Sequence, residues 1–351
     1  MDSQEGLIYW VGLYYKLTSG NAFLKTVPLQ SVLKALETSA KQEILKERSV
    51  PILDHTTPVI DAPKRKTILL AEHSGFCHGV QKAVDKTLAA GESSEKPVYV
   101  LGQLIHNQQV IDHLDAKSIR TVNSLDEVPE GSVCVIRTHG APPQIVAEAE
   151  AKGVEVSDAT CPDVRLVQNK AIQLAEEGYT VVIVGKDEHP EVIGIKAHSD
   201  LVGGATIVAI NKVNEIQEKL KDIPKRRIGV VSQTTQMEEN FFEMVKALSK
   251  VAKELKVFNT ICPATYFRQN SALDLAGKVE FMVVVGGKNS SNTTHLAEIC
   301  RGEGTPTIHI ETYKELEDCE ALQNANIIGV TAGASTPDWL IQEVVDYIQS
   351  L

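Results

Sequence analysis

Residues 154–175, VEVSDATCPDVRLVQNKAIQLA, and residues 255–276, LKVFNTICPATYFRQNSALDLA, align without a gap, and their pairing decides how the chain is read. Cys161 falls over Cys262, Pro162 over Pro263, Gln168 over Gln269 and Asn169 over Asn270. Ala171, Leu174 and Ala175 fall over Ala272, Leu275 and Ala276. Each copy reads as a short β run, a Cys-Pro turn and an amphipathic helix. Both helices are followed by an apolar run ending in glycine, YTVVIVG at Gly185 and FMVVVGG from Gly286.

A weaker third copy lies upstream. KTILLAEHSGFCHGVQKAV sets Cys77 between a β run and a helical pattern, and the next strand, PVYVLG, ends at Gly102. Four residues after each strand-end glycine stands a polar side chain: His106, His189 and Ser290. Each segment then continues with another helical stretch and another strand with a polar end, VCVIRTHGAP, IGVVSQTTQ and NIIGVTAGAST. Self-similarity at this spacing marks repeated structural units. The expected organisation is therefore three α/β units, 67–151, 152–252 and 253–351. Alternating strands and helices imply mainly parallel sheets covered by helices. Ligands of such sheets bind outside the carboxyl ends of the strands, where all these polar signatures fall. Three such units facing one another bring three cysteines to one central point.

Residues 1–66 stand outside the repeat. They combine an apolar aromatic LYYKL, a helical PLQSVLKALETSAKQEILKE and a Pro-rich VPILDHTTPVIDAPKRK, and read as an appended extension and linker.

The 351 residues are 43% hydrophobic and 23% charged, with a net charge of −11. An acidic chain without a basic block does not suit a nucleic acid or a membrane surface. No apolar run approaches the roughly 20 residues of a membrane span. MDSQEGLIYWVGLYYKL has early acids and no basic n-region, so neither a secretory signal nor a transit peptide is expected and the cytoplasm is the default.

The six cysteines, at 77, 134, 161, 262, 300 and 319, are too scattered for a disulfide scaffold, and no CxxC occurs. Cys134, Cys300 and Cys319 read as small buried hydrophobes. Cys77, Cys161 and Cys262 recur at one place in a repeat and read as metal ligands. Thiolates hold iron–sulfur clusters, normally four per cluster. Three protein thiolates leave one iron open, able to act as a Lewis acid and to deliver electrons. A three-cysteine zinc site is the competing metal assignment.

The other polar strand ends describe a pocket. His106, His139, His189, Thr234, Thr235, Ser290, Ser291, Asn292 and Ser335 suit a phosphate or diphosphate, especially beside helix N-termini. Singly, each histidine has a plainer reading as a satisfied, partly buried side chain. Glu191, in His189-Pro190-Glu191 at a helix start, is the best carboxylate for proton delivery, although a first-turn glutamate also suits the helix dipole. There is no GxGxxG after a strand and no GxxxxGK[ST], so no nicotinamide, flavin or ATP is inferred, and electrons must come from a separate protein.

The motifs GFCHGVQKAV, HNQQVIDHL, RTHGAP, DATCPDV, HPEVIG, SQTT, TICPAT, GGKNSSNT and VTAGASTPDWL, in this order, resemble the 4-hydroxy-3-methylbut-2-enyl diphosphate reductase (IspH/LytB) family. That family catalyses the last step of the methylerythritol phosphate route of isoprene biosynthesis. The resemblance runs from about residue 67 to the C-terminus. It implies a trefoil of three pseudo-threefold-related α/β domains around a central 4Fe–4S cluster, one per chain, with Cys77, Cys161 and Cys262 as ligands and one open iron. It further implies that His106, His139, Ser290, Ser291, Asn292 and Ser335 contact the diphosphate. Glu191, His189 and Thr234 fall on the proton-delivery side. A ferredoxin- or flavodoxin-type donor is implied as partner, and isopentenyl and dimethylallyl diphosphate as products. Leu166, Gln168 and His78 depart from the family pattern, which usually has lysine, histidine and a smaller residue there.

Two other functions fit three cysteines: a non-redox dehydratase of quinolinate-synthase type, and a non-catalytic metal or redox-sensing protein.

Overall fold

The computed structural model describes residues 10–11 and 66–351. Its strands are β1 (Trp10–Val11), β2 (Thr67–Leu70), β3 (Val98–Leu101), β4 (Ile119–Val122), β5 (Val133–Ile136), β6 (Glu155–Asp158) and β7 (Thr180–Val184). They continue with β8 (Ile207–Ile210), β9 (Arg227–Ser232), β10 (Glu254–Val257), β11 (Phe281–Val285), β12 (Thr307–Ile310) and β13 (Ile327–Ala332). They form three sheets, ordered β4-β3-β5-β6, β1-β10-β9-β7-β8 and β12-β11-β13-β2. Every pairing is parallel. The α/β class with parallel sheets and alternating helices holds.

The sequence explains the sheet interiors. TVVIV of β7, FMVVV of β11 and VCVI of β5 are buried at every position. Continuous apolar runs are what strands covered on both faces require. Their side chains pack with helix residues such as Val167, Ala171 and Leu174 on one face of the second sheet and Phe241, Met244 and Leu248 on the other. Cys134 and Cys300 are fully buried among apolar side chains, and Cys319 is partly buried against the third core.

Sheet membership is shifted by one strand relative to the sequence repeat. β6 and β10, which open the second and third repeats, complete the first and second sheets beside β5 and β9. β2, which opens the first repeat, closes the third sheet, with Thr67 opposite Ile327 and Leu70 opposite Val330. The Lys66 ammonium fastens this closure, donating to the carbonyls of Leu322, Gln323 and Ala325 at 2.9, 2.8 and 3.0 Å. A cation is favourable there, at the C-terminal end of the helix Glu320–Asn324. Each unit thus lends its first strand to a neighbour and carries its cysteine on the segment that crosses over.

The extension expected over residues 1–66 lies outside the described residues except for Trp10–Val11, which pairs with Lys256–Val257, and Lys66. Among the described residues, no helix is long and apolar enough to cross a membrane.

Candidate active site

Three helices begin at a cysteine. Cys77, Cys161 and Cys262 are the N-cap residues of the helices His78–Ser93, Pro162–Glu176 and Pro263–Ala276. The Cys77 sulfur accepts from the N–H of Val80 at 3.5 Å, and the Cys262 sulfur from the N–H of Thr265 at 3.4 Å. Backbone donors and the positive helix end both favour a thiolate at such a cap. The backbone N–H of each cysteine in turn donates to an equivalent loop: Cys77 to Ala334, Cys161 to Thr138 and Cys262 to Thr234, at 3.2, 3.0 and 3.0 Å. Threefold repetition at the level of sequence is therefore threefold repetition of hydrogen bonding.

The second helix of each unit begins beside the same cavity. Asn107, His189 and Ser290 cap the helices Gln108–Ala116, Pro190–Ser199 and Ser291–Gly302 through their side chains. Six helix N-termini therefore lie around the cavity, an arrangement that suits anions. All thirteen site residues expected from the sequence line this one cavity: the three cysteines, His106, His139, His189, Glu191, Thr234, Thr235, Ser290, Ser291, Asn292 and Ser335.

Glu191 is the most constrained charge in the site. The residue is 1% exposed. Thr234 donates its backbone N–H to Oε1 at 2.7 Å and its hydroxyl to Oε2 at 2.9 Å. Burial pushes the carboxyl up to about 7, against the opposing pull of the Thr234 hydrogen bonds and with a further push from Asp163. The group therefore holds or releases a proton near neutrality, as a general acid must.

The three histidines form a cluster with ring centroids 4.5 Å (His106–His139), 5.6 Å (His106–His189) and 5.5 Å (His139–His189) apart. Burial, then the Arg137 charge, lowers His106 to about 4. Burial, then the charges of His106, Lys186 and Arg137, lowers His189 to about 3. His139 is held well below its usual value, first by burial. The rings are therefore neutral at physiological pH. One ring nitrogen of each lies within 4.8 Å of the others, a spacing that a metal ion could use. The tautomer of His189 argues otherwise. Its Nδ1 accepts the Glu191 N–H at 3.2 Å, so the neutral ring carries its proton on Nε2 and offers a donor, not a lone pair. Four buried atoms of this region are unpartnered: His106 Nε2, His139 Nδ1, and the Nδ2 and Oδ1 of Asn292; of the Asn292 amide, Nδ2 is the donor that suits a polyanion.

Sequence reasoning missed the residues that hold the units together here. Gln103 Oε1 faces His106 Nδ1 at 3.2 Å and accepts from Asn289 Nδ2 at 2.9 Å, joining the first unit to the third. The Ser335 hydroxyl donates to the His106 carbonyl at 3.2 Å. His295 Nδ1 lies 2.9 Å from the Thr235 carbonyl. Arg268 is buried and donates from Nε and Nη2 to the Gly75 carbonyl at 3.2 and 2.7 Å, fixing the loop before Cys77. Asp163 and Thr265 also line the cavity. Arg268 precedes the repeated Gln-Asn pair but falls over Val167 in the other copy, so the repeat carried no signal for it.

An iron–sulfur cluster fits the donor set. A Cβ added at Gly79 would stand 2.6 Å from the Cys161 sulfur and 4.0 Å from the Cys77 sulfur, so the backbone is kept bare where two sulfurs approach. Burial pushes the Cys161 thiol up to about 11 and the Cys262 thiol up to about 12, and a bound cation is what turns buried thiols of this kind into thiolates.

Comparison with known proteins places the chain. The family model described as LytB protein matches residues 68–349. The 4-hydroxy-3-methylbut-2-enyl diphosphate reductase of Aquifex aeolicus is 43% identical over 284 residues, covering 81% of this chain and 96% of its own length. The Clostridium tetani protein of the same name is 43% identical over 282 residues, 80% of this chain, but this chain spans only 43% of its length. A solved structure of (E)-4-hydroxy-3-methyl-but-2-enyl diphosphate reductase, described as the terminal enzyme of the non-mevalonate pathway, is 42% identical. It superposes with a TM-score of 0.62 over 81% of this chain and 99% of its own. The Plasmodium falciparum E-1-hydroxy-2-methyl-but-2-enyl-4-diphosphate reductase is 28% identical, with a TM-score of 0.74 over 80% of this chain and 87% of its own.

Proposed function

The chain belongs to the LytB protein family, and on that premise we propose that it is a 4-hydroxy-3-methylbut-2-enyl diphosphate reductase. The reaction is a reductive dehydroxylation: substrate, two electrons and two protons give water and an isoprenoid diphosphate. The second proton enters at either end of the allylic fragment, giving isopentenyl or dimethylallyl diphosphate. The observation that carries this reading is the convergence of three capping cysteines, a carboxyl titrating near neutrality and a cluster of neutral donors on one cavity.

Cys77, Cys161 and Cys262 would hold a 4Fe–4S cluster, one per chain. When bound, that group supplies the two electrons, one at a time, and a Lewis-acidic iron for the substrate hydroxyl. An external donor of ferredoxin or flavodoxin type replenishes the electrons.

The chain's own residues bind, orient and protonate. His139, His189, Ser290, Ser291, Asn292 and Ser335 offer hydrogen-bond donors to the diphosphate, and His106 joins them once protonated. Thr235 lines the same cavity. Holding one end of the substrate folds its other end toward the cysteines, so the reacting carbon is presented in a single orientation. Glu191 carries the proton that lets the hydroxyl depart as water. Thr234, which grips both carboxylate oxygens, keeps that proton aimed and stabilises the anion left after transfer. His189 fixes the helix start that carries Glu191.

The test is anaerobic: iron and sulfide reconstitution, then reduced viologen dye and the hydroxymethylbutenyl diphosphate. Dye oxidation that requires substrate and disappears in Cys161→Ser is the expected result. A protein that carries the cluster yet leaves the dye reduced would instead be a non-redox dehydratase.

A further inference from the structure

In the free protein the groups assigned above to the diphosphate are all neutral. Three imidazoles with depressed pKa values, three hydroxyls and an amide bring no formal charge, and the nearest ionisable side chains, Glu191, Asp163 and the cysteines, can only become negative. A polyanion gains little from such a set unless a cation stands close by.

Arg137 is placed to be that cation. It directly follows β5, where Ile136 pairs with Leu101, and so stands beside Gly102 at the carboxyl end of β3. Gly102 has φ +72°, and a Cβ there would meet Arg137 Nη1 at 2.6 Å, Cζ at 3.1 Å and Cδ at 3.4 Å. The guanidinium thus occupies the space a side chain at 102 would fill, on the loop that leads to His106. His139 follows two residues after Arg137 on the other loop. The Arg137 charge acts on all three histidines, whereas that of Lys186 acts only on His189 within the cluster.

Its lack of a partner is the second observation. Among the described residues the Arg137 side chain makes no ion pair or hydrogen bond, although burial lowers its pKa. The other partly or fully enclosed arginines are paired: Arg268 with the carbonyls of Gly75 and Ala264, Arg227 with Glu254 and the Glu177 carbonyl. A half-buried guanidinium without a carboxylate is costly unless an anion arrives to meet it.

We propose that Arg137 is a positioning residue for the diphosphate, supplying from behind the His106 and His139 loops the positive charge that the donor set of the free protein lacks. The inference rests on the substrate reading above and adds to it a determinant of affinity that touches neither cysteine nor proton donor.

The probe is inorganic diphosphate, titrated calorimetrically into the anaerobically reconstituted holoprotein. Arg137→Gln is expected to weaken binding by about tenfold or more. The KM for substrate should rise by a similar factor while kcat stays within about threefold, the pattern of lost uniform binding. Arg137→Lys should recover most of the affinity, and iron content should equal that of the wild type in all variants. Unchanged affinity in Arg137→Gln would overturn the proposal. So would an Arg137→Lys protein as weak as Arg137→Gln, because shape rather than charge would then be at work. Arg137→Met keeps an apolar stem against Gly102; if it and Arg137→Gln both lose the cluster, Arg137 belongs to the framework and the proposal is wrong. A wild-type holoprotein that binds no diphosphate would instead overturn the substrate reading itself.

Discussion

Gly79 and Cys161 meet across the boundary between the first two repeats, so closely that the Cβ missing from Gly79 would lie 2.6 Å from the Cys161 sulfur. Gly79 is in the first turn of the helix that Cys77 caps, where alanine would favour the helix by roughly 1 kcal/mol. Gly79→Ala should therefore fold, with helical content at least that of the wild type, yet fail to assemble the cluster. Iron and sulfide per chain after reconstitution, read beside circular dichroism, check this. Full iron content would show that the sulfurs can move apart without loss.

Serine at Cys77, Cys161 or Cys262 should each remove most of the bound iron, because the proposed ligand set would then offer only two thiolates. Cys319→Ser should retain it, since that cysteine is packed against the third hydrophobic core. Iron analysis of the four variants decides the ligand set without any turnover measurement.

Glu191 titrates at about 7, raised from an ordinary carboxyl by burial. On the proposed proton-delivery role the protonated form is the active one, so kcat should be level below that value and fall as pH rises through it. Glu191→Gln keeps the hydrogen-bonding shape without the transferable proton and should lower kcat by about 10²-fold or more, with iron content unchanged. Thr234→Val removes one donor to the carboxylate, which raises the pKa further and should move the falling limb to higher pH. A pH–rate profile identical in Thr234→Val and wild type would remove Glu191 from the proton-delivery role.

His106 presents Nδ1 to Gln103 Oε1, an oxygen that already accepts from Asn289, so the neutral ring keeps its proton on Nδ1 and leaves Nε2 bare. To donate from Nε2 to a diphosphate the ring must gain a proton. Its pKa is about 4 in the free protein and rises when an anion binds. Between those two values binding takes up a proton, so affinity for inorganic diphosphate should increase as pH falls through that window. Calorimetry in buffers of different ionisation enthalpy measures the uptake, and the difference from His106→Asn separates it from protonation of the ligand. No difference between the two proteins would mean that His106 binds in its neutral form.

The local features of this protein were legible in the chain because they depend on neighbours in sequence. Buried central strands announced themselves as TVVIV and FMVVV, and Cys-Pro followed by an apolar periodicity announced helix starts, since backbone geometry and burial on both faces leave few alternatives. The gapless repeat carried the further information that Cys161 and Cys262 are equivalent, and with them the strand-end polar residues that line the cavity. Which sheet receives β2, how near Gly79 lies to Cys161, and that Gln103, Asn289 and Arg137 stand around the histidines were decided only by tertiary structure. A strand's pattern specifies what it buries but not which neighbour it pairs with, and a contact such as Asn289–Gln103 leaves no local periodicity behind. Such polar contacts are selected by the closing of three units on one another, where each buried donor must find its acceptor across an interface that no single segment encodes.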